Sequence, residues 1–404
     1  MIKAVLMVLT VGGLLAQFSV LGKDIDKKVM EVHEHALTVD THCDTPMALL
    51  DEGFDISQRN SAPQSRVDFP RMKEGGLDAI FFAAFTSQRE RTPENTETAY
   101  NMANQMIDLT YKVCSEHSDL AEVATKPEDI VRLEKLGKRA IYIGMENGFP
   151  VGTDIKRVEE FYKKGVRYIT LCHSSNNDIC DSSTDRKGPE HDGLSDFGKE
   201  VVKEMNRLGM MIDVSHISDK SFYDVIKLSK APVIASHSSV RAIAHHNRNM
   251  TDDMIKMLAA KGGVIQICLL DDYVKDPDTT SERYRKETEL RNIYYSQWDK
   301  LSDGQKAAAR KEFRSLDEKY PKELPTVADY VDHIDHVKNL AGIDYVGIGS
   351  DFDGGGGLKD CADVSEFPNI TKEMLKRGYT EEEIDKVWGG NFLRVFKEVA
   401  GMSE

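Results

Sequence analysis

Short apolar runs recur along the chain, each rich in β-branched or aromatic side chains and bounded by glycine, proline or charged residues. Runs of this kind are typical of β-strands. Several are apolar throughout, which indicates parallel strands buried on both faces. The eight predicted strands are Ala36–Asp40, Asp78–Phe85, Arg139–Glu146, Arg167–His173, Met210–His216, Pro232–Ser238, Gly263–Leu270 and Tyr345–Asp351.

Amphipathic helical patterns lie between these strands. Residues 195–208 carry apolar side chains with a period near 3.6, and Gly209 is placed to end that helix. Ser218 is placed to cap the start of the next one. Eight strands alternating with helices predict an α/β fold, the (β/α)8 TIM barrel.

Two segments depart from this alternation. The segment Asp271–Lys322 is dense in charged residues and lies between the seventh and eighth predicted strands. We interpret residues 271–322 as a helical insertion at the mouth of the barrel, either a lid, a contact between subunits or only a solvated pair of helices. The run Gly354–Gly357 lacks the GK[ST] ending of a phosphate-binding loop, so we interpret it as a mobile loop at the mouth.

The first 22 residues differ in character from the rest. Lys3 gives one positive charge, and Ala4–Leu15 follows without an ionised side chain, a pattern typical of a secretory signal peptide. We therefore predict a signal peptide over residues 1–22, a single domain over residues 23–404, and export to a periplasmic or extracellular location. The alternative is an uncleaved anchor helix, and only that would bring the protein into contact with a membrane.

The amino-acid composition, net charge and cysteine content exclude several classes of protein. Of 404 residues, 30% are charged and 40% hydrophobic, a globular composition that excludes a polytopic membrane protein. The formal net charge of −15 should repel phosphate backbones, so we expect no nucleic-acid partner. Six cysteines without a CxxC pair exclude a disulfide scaffold, a zinc ribbon and a thioredoxin-like site.

Candidate chemistry lies at the carboxyl ends of the predicted strands. In a closed barrel these ends meet at one rim, where barrel enzymes place their active sites. Burying so many imidazoles and carboxylates together is costly unless cations compensate them. The residues are His42, Asp44, Glu146, His173, His216, His237 and Asp351.

The spacing of these residues suits two metal ions. His42 and Asp44 leave the first strand two residues apart, so both can face the barrel axis and bind one ion. His216 and His237, on adjacent strands, suit a second ion, and Glu146 can give one oxygen to each. Imidazole with carboxylate favours Zn²⁺, with Mn²⁺ or Fe²⁺ as substitutes. Water bound at such a site has its pKa lowered to about 7 and becomes a hydroxide nucleophile.

Blocks of several residues around these positions are distinctive. They run in order from about Asp40 to Phe396 and resemble the membrane (renal-type) dipeptidase family. That resemblance implies a binuclear zinc metallopeptidase of the amidohydrolase-like barrels. The blocks are Asp40–Pro46, Gly144–Gly148, Tyr168–His173, Ile212–His216, Pro232–Ser239, Arg248–Asn249, His333–His336, Gly347–Gly354 and Gly390–Phe396.

The resemblance also implies a reaction, the hydrolysis of the peptide bond of dipeptides by a hydroxide that bridges two zinc ions. It implies that His42 and Asp44 hold one zinc, that His216 and His237 hold the other, and that Glu146 bridges the two.

The same resemblance implies roles toward the substrate. His173 would contact the scissile carbonyl or its oxyanion, and Asp351 would transfer protons as general acid and base. Arg248 would bind the terminal carboxylate of the dipeptide, and its guanidinium fork is matched to that group.

Other functions remain open at this level. One is another binuclear-metal amidohydrolase that acts on N-acyl amino acids or related amides, or an esterase of the phosphotriesterase type. The latter bridges its metals with a modified lysine on the fourth strand, where this chain has His173. Another is a barrel that binds metal or ligand without catalysis. A homodimer is also left open.

Overall fold

The computed structural model describes residues 26–60, 64–293 and 300–403. Residues 26–35 are helical and precede the first strand. The predicted signal peptide, residues 1–22, lies outside the described residues.

The described strands form one sheet in which all paired neighbours run parallel. Eight of them follow one another in the order β1-β2-β4-β5-β6-β7-β8-β9, and β3 pairs with β4 beside this path. The strands are β1 (Val39–Cys43), β2 (Ala79–Phe85), β3 (Ala121–Val123), β4 (Arg139–Glu146), β5 (Val166–Thr170), β6 (Met211–Asp213), β7 (Ile234–Ala235), β8 (Val264–Cys268) and β9 (Val346–Gly349).

The first and last strands meet and close the barrel. A parallel bridge joins Cys43 to Phe352 just beyond β9. The Asp44 amide donates to the Phe352 carbonyl at 2.8 Å, and the Asp351 amide donates to the His42 carbonyl at 3.0 Å. The (β/α)8 barrel predicted from the sequence is therefore confirmed, and its seam lies at the carboxyl ends of β1 and β9.

Helices connect the strands. Both predicted helix ends are confirmed, because Gly209 ends its helix with φ 69° and the Ser218 side chain accepts a hydrogen bond from the Ser221 amide in the first turn of the next helix. The Ser195 side chain caps the start of the first of these helices in the same way. The described helices include Thr45–Ala48, Phe69–Glu74, Pro93–Glu116, Asp129–Glu134, Lys156–Lys163, Asp196–Leu208, Asp219–Leu228, Asp252–Ala260, Asp271–Val274, Glu282–Asn292, Asp303–Arg314, Leu316–Lys319, Val327–Leu340, Pro368–Lys376, Glu381–Asp385 and Asn391–Ala400.

The observed strands differ from the predicted ones in several ways. β5 ends at Thr170 rather than His173, and β9 ends at Gly349 rather than Asp351. β1 begins at Val39 rather than Ala36 and runs on to Cys43, so that His42 lies inside it. β6 and β7 are much shorter than their predicted runs, because side-chain hydrogen bonds replace the backbone pairing beyond Asp213 and Ala235. The strand β3 was not predicted, because only three residues of it pair.

The described residues of the predicted insertion, 271–293 and 300–322, form several helices, as predicted. Lys322 at its end forms ion pairs with Asp271 and Asp272 at its start, at 2.6 and 2.9 Å. These bonds draw the two ends of the insertion together. Among the helices in the described ranges, none combines the length and apolar character needed to cross a membrane.

Two apolar layers pack on opposite faces of the sheet. Ile80 and Phe82 belong to the larger cluster, which packs under the helices, whereas Phe81 belongs to a smaller cluster inside the barrel. The Phe81 ring lies 5.3 Å from that of Tyr168 and 5.2 Å from that of Phe392 in the last helix. This cluster fills the barrel below the strand ends. All six cysteines are buried free thiols.

Candidate metal centre

Five of the predicted ligands meet above the cluster inside the barrel. Each comes from the carboxyl end of a strand, and each is at most 6% exposed. They are His42 within β1, Asp44 just after it, Glu146 at the end of β4, His216 beyond β6 and His237 beyond β7.

Glu146 stands at the middle of this group. Its Oε2 lies 3.5 Å from His42 Nε2, and its Oε1 lies 3.0 Å from His216 Nε2 and 3.4 Å from His237 Nε2. Asp44 Oδ2 lies 3.6 Å from His42 Nε2. The two carboxylate oxygens of Glu146 therefore face two different sets of side chains.

The chemistry of these side chains fits divalent cations. Two sets of three, His42–Asp44–Glu146 and Glu146–His216–His237, each bring ligand atoms within 4.8 Å of one another. His42 Nε2 and Asp44 Oδ1 are buried and have no hydrogen-bond partner in the described part of the chain. An unsatisfied buried polar atom costs about 1–3 kcal/mol. A cation between these atoms would remove that cost.

The protonation states of Glu146, His216 and His237 also suit metal binding. Burial holds the pKa values of His216 and His237 well below the usual range of histidine, so both imidazoles are neutral. Burial disfavours an ionised Glu146, but the imidazoles of His42, His173 and His216 outweigh it and hold its pKa well below the usual range. Neutral imidazole and ionised carboxylate are the forms that bind metal.

Tyr168 on β5 fixes the orientation of His42. The Tyr168 hydroxyl lies 3.1 Å from the Thr41 carbonyl, to which it donates, so it accepts the proton of His42 Nδ1 at 2.9 Å. In the neutral imidazole the lone pair then lies on Nε2, the atom that faces Asp44 and Glu146. Fixing a metal-binding histidine through its other ring nitrogen is a common device.

His173 lies at the open side of the same group. Its side chain is 26% exposed, and its Nε2 lies 3.7 Å from Glu146 Oε1. The Ser174 hydroxyl lies 2.9 Å from His173 Nδ1. The centre is therefore reached from solvent past this imidazole.

Arg248 lies in the loop after β7, and its side chain reaches back to the centre. It is buried, and it donates to the His237 carbonyl at 3.0 Å and to the Ser238 hydroxyl at 3.3 Å. Its Nε has no hydrogen-bond partner among the described residues. A buried guanidinium with a free donor is suited to an anionic group of a ligand.

Asp351 approaches from the β9 side. It is grouped with His42 and His237, all three offering an atom within 4.8 Å of the others. Burial and the negative charge of Asp44 raise the pKa of Asp351 well above its usual range. A carboxyl group that binds a proton readily is suited to proton transfer.

Three residues of the centre, or beside it, have left-handed backbone conformations although none is glycine. They are Asn147 (φ 74°), His216 (φ 70°) and Asp351 (φ 58°), each just past the end of a strand. Such conformations are uncommon for residues other than glycine and concentrate at functional sites. They turn the chain sharply, so that side chains from short strands point inward.

The glycine run after β9 packs against this centre. The amides of Gly354, Gly355 and Gly356 donate to the Asp351 carbonyl at 3.2, 3.1 and 2.7 Å. A Cβ on Gly354 would overlap Asp44 Oδ2 and Asp351 Oδ1. The run thus serves close packing of the loop on two acidic side chains, a role that the sequence alone did not suggest.

Gly354→Ala should therefore weaken metal binding by about 10-fold or more, a loss of the size seen when side chains around a metal ligand are disturbed. The added methyl group would displace Asp44 and Asp351. A competition titration with a chromophoric chelator measures the affinity. Gly304→Ala is the matched control, since a Cβ there meets nothing within 4 Å. Equal affinities for the two variants would contradict the packing argument.

Three supporting residues were missed by sequence reasoning. Tyr168, Asp213 and Ser236 hold metal-ligand candidates or the strand ends that bear them. The available signal was a polar side chain inside an otherwise apolar strand run, because such a group must find a buried partner.

The fold and the centre together define a class of protein: a (β/α)8 barrel with a cluster of metal-ligand side chains at the carboxyl ends of its strands, as in barrel metallohydrolases. Within that class the chain belongs to the membrane dipeptidase family, peptidase family M19, whose model matches residues 26–404.

Similar proteins that carry the name dipeptidase support this family membership. Dipeptidase tcpJ of Claviceps purpurea is 33% identical over 338 residues, which cover 82% of this chain and 69% of that protein. Dipeptidase verJ of Clonostachys rogersoniana is 32% identical over 378 residues, 90% of this chain and 84% of that protein. The crystal structure of the probable dipeptidase PvdM from Pseudomonas aeruginosa aligns with a TM-score of 0.85 and 28% identity, covering 94% of this chain and all (100%) of that one.

Proposed function

We propose that this chain is an exported dipeptidase that depends on two divalent metal ions. The observation that supports this most directly is the position of Glu146, whose two oxygens face separate sets of ligand side chains. In this proposal His42 and Asp44 bind one ion, His216 and His237 bind the other, and Glu146 bridges them.

Zinc is the metal we propose, since three imidazoles with carboxylates suit its coordination, and Mn²⁺ or Fe²⁺ are substitutes. When bound, the ions supply an activated water and polarise the scissile carbonyl. The remaining tasks fall to side chains of the protein.

Arg248 would bind the carboxylate of the second substrate residue. It is anchored by the His237 carbonyl, so its guanidinium stands at a fixed distance from the centre. In this proposal the peptide bond next to a carboxylate bound there would lie within reach of the centre. A longer peptide would place its terminal carboxylate farther away, so the anchor selects dipeptides.

His173 and Asp351 would act on the reacting atoms. If the Ser174 hydroxyl donates to His173 Nδ1, the other nitrogen, Nε2, bears the proton and can donate to the oxyanion as the carbonyl becomes tetrahedral. Asp351 would accept a proton from the attacking water and deliver it to the departing amine. Its raised pKa, caused by burial and by Asp44, favours that exchange.

Arg248→Gln should raise KM for dipeptides by about 10- to 100-fold, since a hydrogen bond to a charged group contributes about 1.5–3 kcal/mol. Steady-state kinetics measure this. Arg248→Lys keeps the charge but loses the fork, and an intermediate KM is expected. An unchanged KM in Arg248→Gln would show that the substrate carboxylate binds elsewhere.

The proposed function is tested by metal analysis combined with hydrolysis assays. We expect two zinc ions per chain, cleavage within a panel of dipeptides that carry L or D residues in the second position, loss of activity with a chelator and recovery with added zinc. A parallel panel of N-acyl amino acids tests the amidase alternative. If the protein binds metal but hydrolyses none of these compounds, it is a metal-binding protein without catalytic activity. If it hydrolyses only N-acyl amino acids, it is an amidohydrolase of that specificity and not a dipeptidase.

Export is tested separately. We propose that the segment of residues 1–22 is removed, and amino-terminal sequencing of the protein recovered outside the cytoplasm measures the cleavage site. A protein that keeps its first residues and sediments with membranes would favour the anchor instead.

A further inference from the structure

Asp213, at the end of β6, is a buried carboxylate that makes four hydrogen bonds. Its Oδ1 accepts from the backbone amides of Ser215 and Ser236 at 3.0 and 2.8 Å. Its Oδ2 accepts from the hydroxyls of Thr170 and Ser236 at 2.5 and 2.6 Å. The carboxylate therefore joins the ends of β5, β6 and β7.

These bonds occur where the backbone pairing runs out. β7 has only two residues, and it pairs with β6 through one residue pair, Asp213 with Ile234. Beyond that pair the chain continues to His216 on one side and His237 on the other. The side chain of Asp213 thus holds together the two chain segments that carry the proposed ligands of one metal ion.

The direction of the hydrogen bonds fixes the protons. An ionised carboxylate only accepts, so the single proton of the Ser236 hydroxyl points to Asp213. The Ser236 oxygen must then accept the proton of His237 Nδ1, which lies 2.8 Å away. With its proton on Nδ1, His237 carries its lone pair on Nε2, the atom that lies 2.8 Å from His216 Nε2 and 3.4 Å from Glu146 Oε1.

We propose that Asp213 and Ser236 are positioning residues that set the tautomer and orientation of His237 as a metal ligand. The inference rests on the proposed metal centre. His216 Nδ1 has no hydrogen-bond partner in the described ranges. Of the two imidazoles of this ion, His237 is therefore the one whose Nδ1 atom is held by a side chain of the described residues, and the two rings also meet directly, with His216 Nε2 2.8 Å from His237 Nε2.

We call the hydrogen bonds from His237 Nδ1 through the Ser236 hydroxyl to Asp213 the relay. Asp213→Asn should reverse the direction in which these bonds donate. The two backbone amides at Oδ1 require the carbonyl oxygen of the new amide to stay there, so its NH₂ group takes the place of Oδ2. That NH₂ donates to the Ser236 oxygen, whose own proton must then point to His237 Nδ1. The ring proton moves to Nε2 and blocks metal binding at that atom.

Two measurements on the full chain test this. Competition titration with a chromophoric chelator gives the zinc affinity of each site, and ¹⁵N spectra of metal-free, histidine-labelled protein report the His237 tautomer. In Asp213→Asn we expect one zinc bound about 10- to 100-fold more weakly, the other within about twofold, and the proton of His237 on Nε2. The tautomer is a readout that loss of packing alone would not reverse.

Ser236→Ala and a matched control complete the design. Ser236→Ala removes the acceptor of His237 Nδ1 and should lower the affinity for the same zinc ion by about 10-fold. This variant tests the positioning role if Asp213→Asn fails to fold. Ser229→Ala is the control, because Ser229 is another buried serine that lies before β7, at the end opposite to His237, and its hydroxyl donates to the Ala231 carbonyl. Both zinc affinities should be unchanged in it.

These experiments distinguish failure of the relay from failure of the proposed function. Wild-type zinc affinities in both Asp213→Asn and Ser236→Ala, with the proton of His237 still on Nδ1, would overturn the relay and leave the proposed dipeptidase intact. A wild-type chain that binds no metal would overturn the proposed function, and the tautomer of His237 in the metal-free chain would still test the relay.

Discussion

Asp351→Asn should lower the turnover of dipeptides by about 10²-fold or more, while both metal ions stay bound, because the amide keeps the size of the carboxyl group but cannot accept a proton. Burial and the neighbouring Asp44 raise the pKa of Asp351, so the wild-type group exchanges protons more readily than an ordinary carboxylate. Steady-state kinetics together with metal analysis of the same preparation measure both parts of the prediction.

The metal analysis decides between two roles for Asp351. Because this side chain lies within 4.8 Å of ligand atoms of His42 and His237, it could itself be a ligand. Loss of an ion in Asp351→Asn would assign it to the metal, and near-normal turnover would exclude proton transfer by it. Asp119→Asn, an exposed aspartate, is the control for the chemical change and should leave both quantities unchanged.

Glu146→Gln should lower the affinity for at least one ion by about 10²-fold or more. Removing one charged partner from a buried set costs about 3–5 kcal/mol, and the amide has one oxygen to offer where the carboxylate has two. Activity should fall with metal content. Metal analysis after dialysis, followed by titration of zinc back into the protein, measures the change.

The same experiment tests the bridge. Two zinc ions held at full occupancy by Glu146→Gln would mean that Glu146 does not join the two sets of ligands. Recovery of activity at high zinc concentration would show that the variant is weakened in binding rather than misfolded. Glu398→Gln, at an exposed position of the last helix, is the control and should bind zinc as the wild type does.

The fold could be predicted because parallel barrel strands are buried on both faces and stand out as apolar runs. β2 and β4 were predicted almost residue by residue for this reason. β6 and β7 were predicted too long, because Ser215 and Ser236 lie within the predicted strands but their amides donate to the Asp213 side chain instead of to a neighbouring strand. A sequence pattern does not show where side-chain bonds take over from backbone pairing.

The candidate centre was predicted for a related reason. His42, Glu146 and His237 are polar residues at or near the ends of apolar runs, and the barrel topology brings those ends together. The residues behind them were not found, since Tyr168 and Asp213 act through bonds to strands distant in sequence. The packing of Gly354 on Asp44 was missed for the same reason. The metal roles of the predicted residues remain predictions until metal binding is measured.

The seam between β1 and β9 has a consequence for biosynthesis. His42 leaves the ribosome among the first residues of the domain and Asp351 some three hundred residues later, and their backbones meet only when the barrel closes. A nascent chain that lacks the last strand cannot form these backbone bonds, so the proposed site stays incomplete until that strand is made. Peptide-cleaving activity should therefore arise late, after translation has delivered the final strand, which would keep incomplete chains harmless to their surroundings.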